Sequence, residues 1–402
     1  MRLAGLGMTD SAALVSGACC VYTSSEGVTM RILVLLGLCL MLSSLRTSHA
    51  AGPVPPTLDE VRREMGIPSK GDLRGQKDAV GFASTAAQMA EAWNASSAGP
   101  APESLGNVPA DSAWGVICPH DDFLYAGRVY RSVIPTVKAK RVIVLGVFHG
   151  WKKFGAREVL VFDDYRAWRT PDGELKVSSL REALLSRLPK GDVVQSDAMH
   201  DSEHSVEAVS YWLKHQNPDL EIVPILVSTM SFERMQDLSA RLAEAISAEM
   251  KARGWNMGKD LAVVISSDAV HYGPDFKFTP YGDGGVEAYM KACAADRALL
   301  TGPLAGVVTT DSIRRAFETF CDPKDPGQYR LTWCGRFSIP FGLLTLERLA
   351  ASQDRKLEGR PVAYATSVGW PQLAVKAEGM GLTAPSNLYH FVGYPAAGYT
   401  VK

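Results

Sequence analysis

The distribution of apolar and polar positions divides the chain into buried strands and one-sided helices. Strand candidates, rich in apolar and β-branched residues, lie at 114–118, 141–148, 158–163, 221–228, 261–267, 361–367 and 391–400. Continuous apolar runs without alternation read as strands covered on both faces, as in a parallel sheet. Between them, 127–137, 178–187, 204–216, 231–253, 286–301, 310–320 and 339–353 carry apolar residues at helical spacing. Such alternation predicts an α/β domain over 113–402, a three-layer α/β/α arrangement around a mostly parallel central sheet. Residues 51–112 read as a helical and linker segment. Helical spacing occurs at 58–65 and 82–93, a proline-rich stretch at 51–56, and an Ala/Ser/Pro/Gly-rich stretch at 95–112.

Three of the strands run into histidines. The first leads to His120, the second to His149, and 261–267 to Asp268 and His271. In open α/β sheets, ligands sit outside the carboxyl ends of the strands. These side chains should therefore share one rim, where gathered imidazoles suit a metal or an acid–base centre. Asp121 and Asp122 follow His120 and could ligate a metal, hold an imidazole tautomer or cap the next helix. His204 sits at a predicted helix start with Glu207 one turn on, and Ser202 and Ser205 both suit an N-cap. Asp268 could orient the His271 ring and raise its basicity, with Tyr272 beside it in the pocket. Cys334, near a helix start and close to Arg336, should have a lowered pKa and supply a thiolate, a soft ligand for copper, zinc or iron. Each motif also has a plainer account: a core histidine, a surface cap, or a disulfide between Cys334 and Cys321.

Composition narrows the function classes. The 402 residues are 46% hydrophobic and 21% charged, with a net charge of −1. No basic field points to nucleic acid or to an anionic membrane. Upstream, Met30-Arg31, an apolar run over 32–45 and Ser48-His49-Ala50 read as a signal peptide cleaved near Ala50. The run is too short to span a bilayer. Residues 1–50 are thus an upstream segment and leader, Met30 is a candidate start, and Cys39 lacks the context for lipidation. The expected location is periplasmic or extracellular, or cytoplasmic if the segment is not cleaved. Export would leave Cys118, Cys293, Cys321 and Cys334, with pairing open and one thiol available as a ligand.

Together the motifs resemble the Memo family, the B component of the AmmeMemoRadiSam gene set, which is related in fold to the class III extradiol ring-cleaving dioxygenases. The matching stretches are Pro119-His120, Leu145-Gly146-Val147-Phe148-His149, Ser202-Glu203-His204-Ser205-Val206-Glu207, Ser266-Ser267-Asp268-Ala269-Val270-His271-Tyr272-Gly273 and Cys334-Gly335-Arg336-Phe337-Ser338-Ile339. They occur in family order from about residue 114 to the C-terminus. The resemblance implies a metal held by His120, His149 and Cys334. Asp268, His271 and His204 would serve catalysis around it, and Asp121, Asp122, Glu207, Arg336 and Tyr272 would line or support the pocket. In the dioxygenases a carboxylate completes a two-histidine triad around Fe(II); here Cys334 stands in its place. That departure argues against ring cleavage and favours iron or copper bound with thiolate, with zinc as a further choice. Asp121-Asp122 replaces the family's Ala-Gly.

Three functions follow. The first is a metal-binding protein with redox or dioxygenase-like chemistry on a substrate the sequence does not name. The second is a module that binds a small molecule or peptide without turnover. The third is a zinc hydrolase: Pro119-His120-Asp121-Asp122 is similar to the His-Pro-Asp-Asp of sugar-amide deacetylases, and His200 and His204 could add ligands.

Overall fold

The apolar runs are buried along their whole length because they form the middle of one sheet. The computed structural model describes residues 54–108, 113–377 and 379–402; the expected leader and its cleavage point at Ala50 lie outside them. In chain order the principal elements are β1 (Gly115–Cys118), α1 (Phe123–Val133), β2 (Arg141–Val147), β3 (Leu160–Phe162), β4 (Ala167–Thr170), β5 (Gly173–Val177) and α2 (Leu180–Arg187). Then come α3 (Glu207–Gln216), β6 (Glu221–Val227), α4 (Phe232–Arg253), β7 (Leu261–Ser266), α5 (Val286–Thr301), α6 (Thr310–Phe320), α7 (Ser338–Ala351), β8 (Leu357–Thr366) and β9 (Phe391–Val401).

The strand order is β4-β5-β6-β2-β7-β1-β9-β8. From β5 to β1 neighbouring strands are parallel. Strands β9 and β8 extend the sheet antiparallel. Side chains alternate across it as period-2 geometry requires. Ile143, Leu145, Val263 and Ile265 join one core with α4 to α7. Val142, Val144, Ala262 and Val264 join the other with α1 and α3. The fold is therefore a three-layer α/β/α sandwich around a mostly parallel sheet. Burial of each such side chain contributes about 1.5–3 kcal/mol relative to exposure. Gly342 lets α7 lie close on β7, since a Cβ there would meet Ile265 Cδ1 at 2.6 Å.

Register positions the rim. In the parallel pairs, Cys118 lies opposite Ser266 and Leu145 opposite Ile265. The carboxyl ends of β1, β7 and β2 are nearly flush, so the residues that follow them emerge side by side.

Several expectations change. Helix α1 starts at Phe123, not at residue 127, because Phe123 to Ala126 are buried against the core. It stops where Pro135 enters a short 3-10 turn, Ile134–Thr136. His204 precedes α3 instead of starting it. Ser205 does not cap that helix; its hydroxyl donates to Val147 O at 2.8 Å. The hairpin of β4 and β5 was not expected, since its Arg-Thr-Pro-Asp-Gly text carries no strand pattern. Residues 54–108 are built into the same unit as the sheet. Their helices Leu58–Arg63 and Ala86–Ala95 start in capping boxes at Thr57 and Thr85. Leu73–Arg74 pairs with β4, and Glu103–Ser104 with β8. Cys118, Cys293, Cys321 and Cys334 are all buried and free, so the Cys321–Cys334 disulfide does not form. Among the described residues no helix is long and apolar enough to cross a membrane.

Candidate metal centre

His120, His149 and Cys334 converge at the rim. Each offers one ligand atom, and these atoms lie within 4.8 Å of one another. Nε2 of His120 is 3.4 Å from Sγ of Cys334. Two ligands on one metal, each about 2.0–2.3 Å from it, take such a separation. His120 and Cys334 are only 2% and 5% exposed.

The hydrogen bonds fix which atoms face inward. The Ser266 hydroxyl donates to Ser205 O at 2.6 Å, so its oxygen accepts from Nδ1–H of His120 at 2.7 Å. Nε2 of His120 is then the lone-pair atom, and it faces Sγ and, at 3.3 Å, Oδ2 of Asp268. His149 is oriented by Glu203, whose Oε1 lies 2.9 Å from Nδ1. Glu203 also accepts from the backbone N–H groups of His149, His204 and Ser205. Such carboxylate–imidazole pairs set tautomer and basicity at metal sites. The second grouping at the rim, His149 with Glu203 and His204, is a weaker cage because those bonds already occupy the Glu203 oxygens.

Electrostatics follow from burial. Burial and the neighbouring rings of His149 and His204 hold His120 well below the ordinary imidazole value. Partial desolvation opposes charge on His149, whose side chain is 41% exposed, but Glu203 outweighs it and raises the ring. Glu203 in turn stays well below the usual carboxylate range despite its burial, chiefly through His149. Burial lowers His204 and His271. Burial, reinforced by Asp121, pushes Asp268 well up. Asp122 is raised to about 7 by burial and by Asp121, against hydrogen bonds from Thr383.

The cleft beside this group encloses about 400 Å³. Five of the chain's eight histidines line it: His120, His149, His204, His271 and His390. Asp121, Asp122 and Asp268 line it as well, with Asp78, Phe82, Tyr125, Phe276 and Thr383. Asp78, Phe82 and His390 were not anticipated, because they come from segments outside the recognised motifs. Glu203 lay within a motif, but only its contact with His149 reveals its part.

Other expectations are corrected. Asp268 does not orient His271; it pairs with His120, through Oδ2 and through its Oδ1, which accepts the His120 N–H at 2.9 Å. His271 is held instead by backbone carbonyls, its Nδ1 lying 3.0 Å from Ala269 O and 3.1 Å from Thr332 O. Glu207 does not reach the cavity. It is fully buried and accepts from Arg74 and from the N–H groups of Lys77 and Asp78. Tyr272 is buried away from the cleft, stacked on Phe391 and donating to Gly282 O. Arg336 is buried outside the cleft lining, its guanidinium 3.4 Å from the Tyr329 ring centroid. Cys334 is therefore not a ready thiolate: burial and Asp268 push its pKa well up, although the Asp268 N–H donates to Sγ at 3.0 Å. His200 is fully buried, with Nε2 on Val161 O, so it does not join His204 as a ligand.

Asp296 of α5 ties two rim loops together. It accepts from Trp333 Nε1 and Tyr364 Oη, both at 2.7 Å, and from the Val270 N–H at 3.3 Å. Burial raises its pKa from 3.8 to about 7. The folded chain holds this proton longer than the unfolded chain, so its contribution is full below about pH 4 and lost as pH rises to about 7. At about 1.4 kcal/mol per pH unit the loss is bounded near 4 kcal/mol. Asp296→Asn should flatten this part of the stability curve; urea melts across the range, compared with wild type, measure it. An unchanged slope would remove Asp296 as its source.

Similarity to known proteins points the same way. A family model described as Memo-like protein matches residues 84–371. A MEMO1 family protein of Thermococcus onnurineus is 24% identical over 173 residues, 41% of this chain and 55% of the relative. One from Desulfurococcus amylolyticus is 28% identical over 43% of this chain and 58% of its own length. One from Methanosarcina barkeri is 30% identical over 40% and 55%. These alignments thus span little more than half the length of the relatives. With the family model covering most of the chain, from the helix at Ala86 through the rim motifs to the end of β8, the chain belongs to the Memo-like family.

Proposed function

We propose that this protein binds one redox-active metal ion through His120, His149 and Cys334 and uses it in oxidoreductase chemistry on a small molecule. The observation that carries the reading is the convergence of ligand atoms: those of His120, His149 and Cys334 lie within 4.8 Å of one another, and the Nε2 lone pair of His120 faces Sγ of Cys334 and a carboxylate oxygen of Asp268. Acceptors packed this closely need a cation or protons between them. A nitrogen, nitrogen and sulfur donor set suits copper, iron or zinc, and thiolate favours iron or copper in a redox role. Such a metal supplies electron transfer or polarises a bound oxygen atom. Around it, Asp268 holds His120, Glu203 holds His149, and His271 and His204 serve as neutral bases on the cavity wall. Elemental analysis of the protein purified from its native compartment tests this. About one equivalent of iron or copper is expected; zinc would favour hydrolysis, and no metal with ligand binding retained would favour a binding module. The hydrolase reading is weakened by His200, which is fully buried with its Nε2 engaged by Val161 O.

We also propose that the chain is exported, on the strength of the charged start, short apolar run and Ser48-His49-Ala50. N-terminal sequencing of the mature protein should begin near Ala51. Intact Met30 on cytoplasmic protein would refute export.

A further inference from the structure

The cleft beside the metal centre has an unbalanced wall. Asp78, Asp121 and Asp122 line it, and no lysine or arginine does so among the described residues. Two of these carboxylates are held through one oxygen only. Oδ1 of Asp78 accepts from the Val80 and Gly81 N–H groups. Oδ2 of Asp122 accepts from the N–H and hydroxyl of Thr383. Asp122 is 1% exposed, yet its Oδ1 has no hydrogen-bond partner among the described residues. Asp121 is fixed by the Tyr394 hydroxyl at 2.6 Å.

Several other polar groups spend their protons within the wall: the Tyr125 hydroxyl donates to Ala384 O, that of Thr383 to Asp122 and that of Ser386 to His390 O. Nδ1 of His271 lies against two backbone carbonyls and so carries the proton. That leaves Nε2 as the free atom of a ring lining the cavity, and it can only accept. The apolar lining is aromatic. Phe276 stacks on His390 at 4.7 Å between centroids and meets His271 edge-on at 5.1 Å. Phe82 lies edge-on to His204 at 5.9 Å. A ligand for this space must bring donors and positive charge at one end and a flat apolar body at the other. Carboxylates fixed by their neighbours before binding attract such a charge without reorganising, and ring faces add cation–π attraction.

We infer that the cavity takes a small aromatic ammonium ion, with the ammonium group among Asp78, Asp121 and Asp122 and the ring between Phe82 and Phe276. The inference rests on the metal-centre reading only in naming a ligand for the same cleft. Titration calorimetry of the full chain, as purified and after chelation, would compare three ligands sharing one ring. These are tyramine, its neutral counterpart tyrosol and the anionic para-hydroxyphenylacetate. Tyramine should bind at least about tenfold tighter than tyrosol, as expected for charge-assisted hydrogen bonds in a buried site. The carboxylate should bind most weakly to the chelated protein. Asp78→Asn with Asp121→Asn should erase the preference for tyramine. Equal or tighter binding of the carboxylate after chelation, no binding of any of the three, or a preference that survives the double substitution would overturn the inference. Metal content read on the same samples separates the two proposals. A metal-free chain that prefers tyramine refutes the metal centre alone, and a metal-loaded chain without the preference refutes the ammonium site alone.

Discussion

Alanine at His120, His149 or Cys334 should strip the purified protein of its metal while leaving far-UV circular dichroism nearly unchanged. Each residue stands in a loop just after a strand or just before a helix, where the neighbouring sheet and helices hold most of the backbone. Loss of an outer-shell partner typically costs about 10–100-fold in metal affinity. Loss of a ligand should exceed that range, and Glu203→Gln should fall within it, because Glu203 touches His149 alone among the three ligands. Competition with a chromophoric chelator, alongside elemental analysis, resolves the two classes. Full occupancy in Cys334→Ala would remove the sulfur from the site. Cys334→Ser is a useful companion, since it keeps the side-chain volume near Ser267 while replacing thiolate with a harder, less acidic donor.

His271→Ala should show the opposite pattern. His271 lines the cavity, but it is not among the three residues whose ligand atoms converge. The variant should keep most of its metal and lose tyramine affinity by about tenfold, the cost of a hydrogen bond to a charged group. Any turnover that is found should fall further, by about 10²–10⁴, if His271 moves a proton. Loss of metal as complete as in His149→Ala would make His271 a ligand. Loss of neither, with a lower melting temperature, would reduce it to a packing residue against Phe276.

Much of this was legible in the sequence for a simple reason. Strands buried on both faces leave unbroken apolar text, so β1, β2, β6 and β7 could be found within a residue or so, and the residue after each run could be assigned to the rim. The hairpin of β4 and β5 left no such text, because its strands are short and mix the buried Trp168 and Leu175 with charged and polar residues. Partnerships within the rim were harder. Asp268 and His271 are three residues apart, which invited a pairing, but the parallel register of β1 and β7 sets Asp268 beside His120 instead. Strand register across the sheet cannot be read from local spacing. Arg336 misled for a related reason: two residues from Cys334 in sequence, it turns its charge onto Tyr329. Glu207 was read by helical periodicity as a neighbour of His204. The helix begins after His204, and Arg74, from the segment ahead of β1, claims the carboxylate.

That the candidate ligands come from distant parts of the chain has a mechanical consequence. His120 and Cys334 are 214 residues apart in the chain, and no short fragment carries the centre. A bound ion would therefore act as a cross-link, closing a loop that spans most of the sheet in a molecule whose described cysteines are all free. Its grip would exist only once β1, β2, β7 and α7 are in register, so metal capture would report completed folding. At a free metal concentration a hundred times the dissociation constant, the native state would gain about 2.7 kcal/mol over every partly folded form.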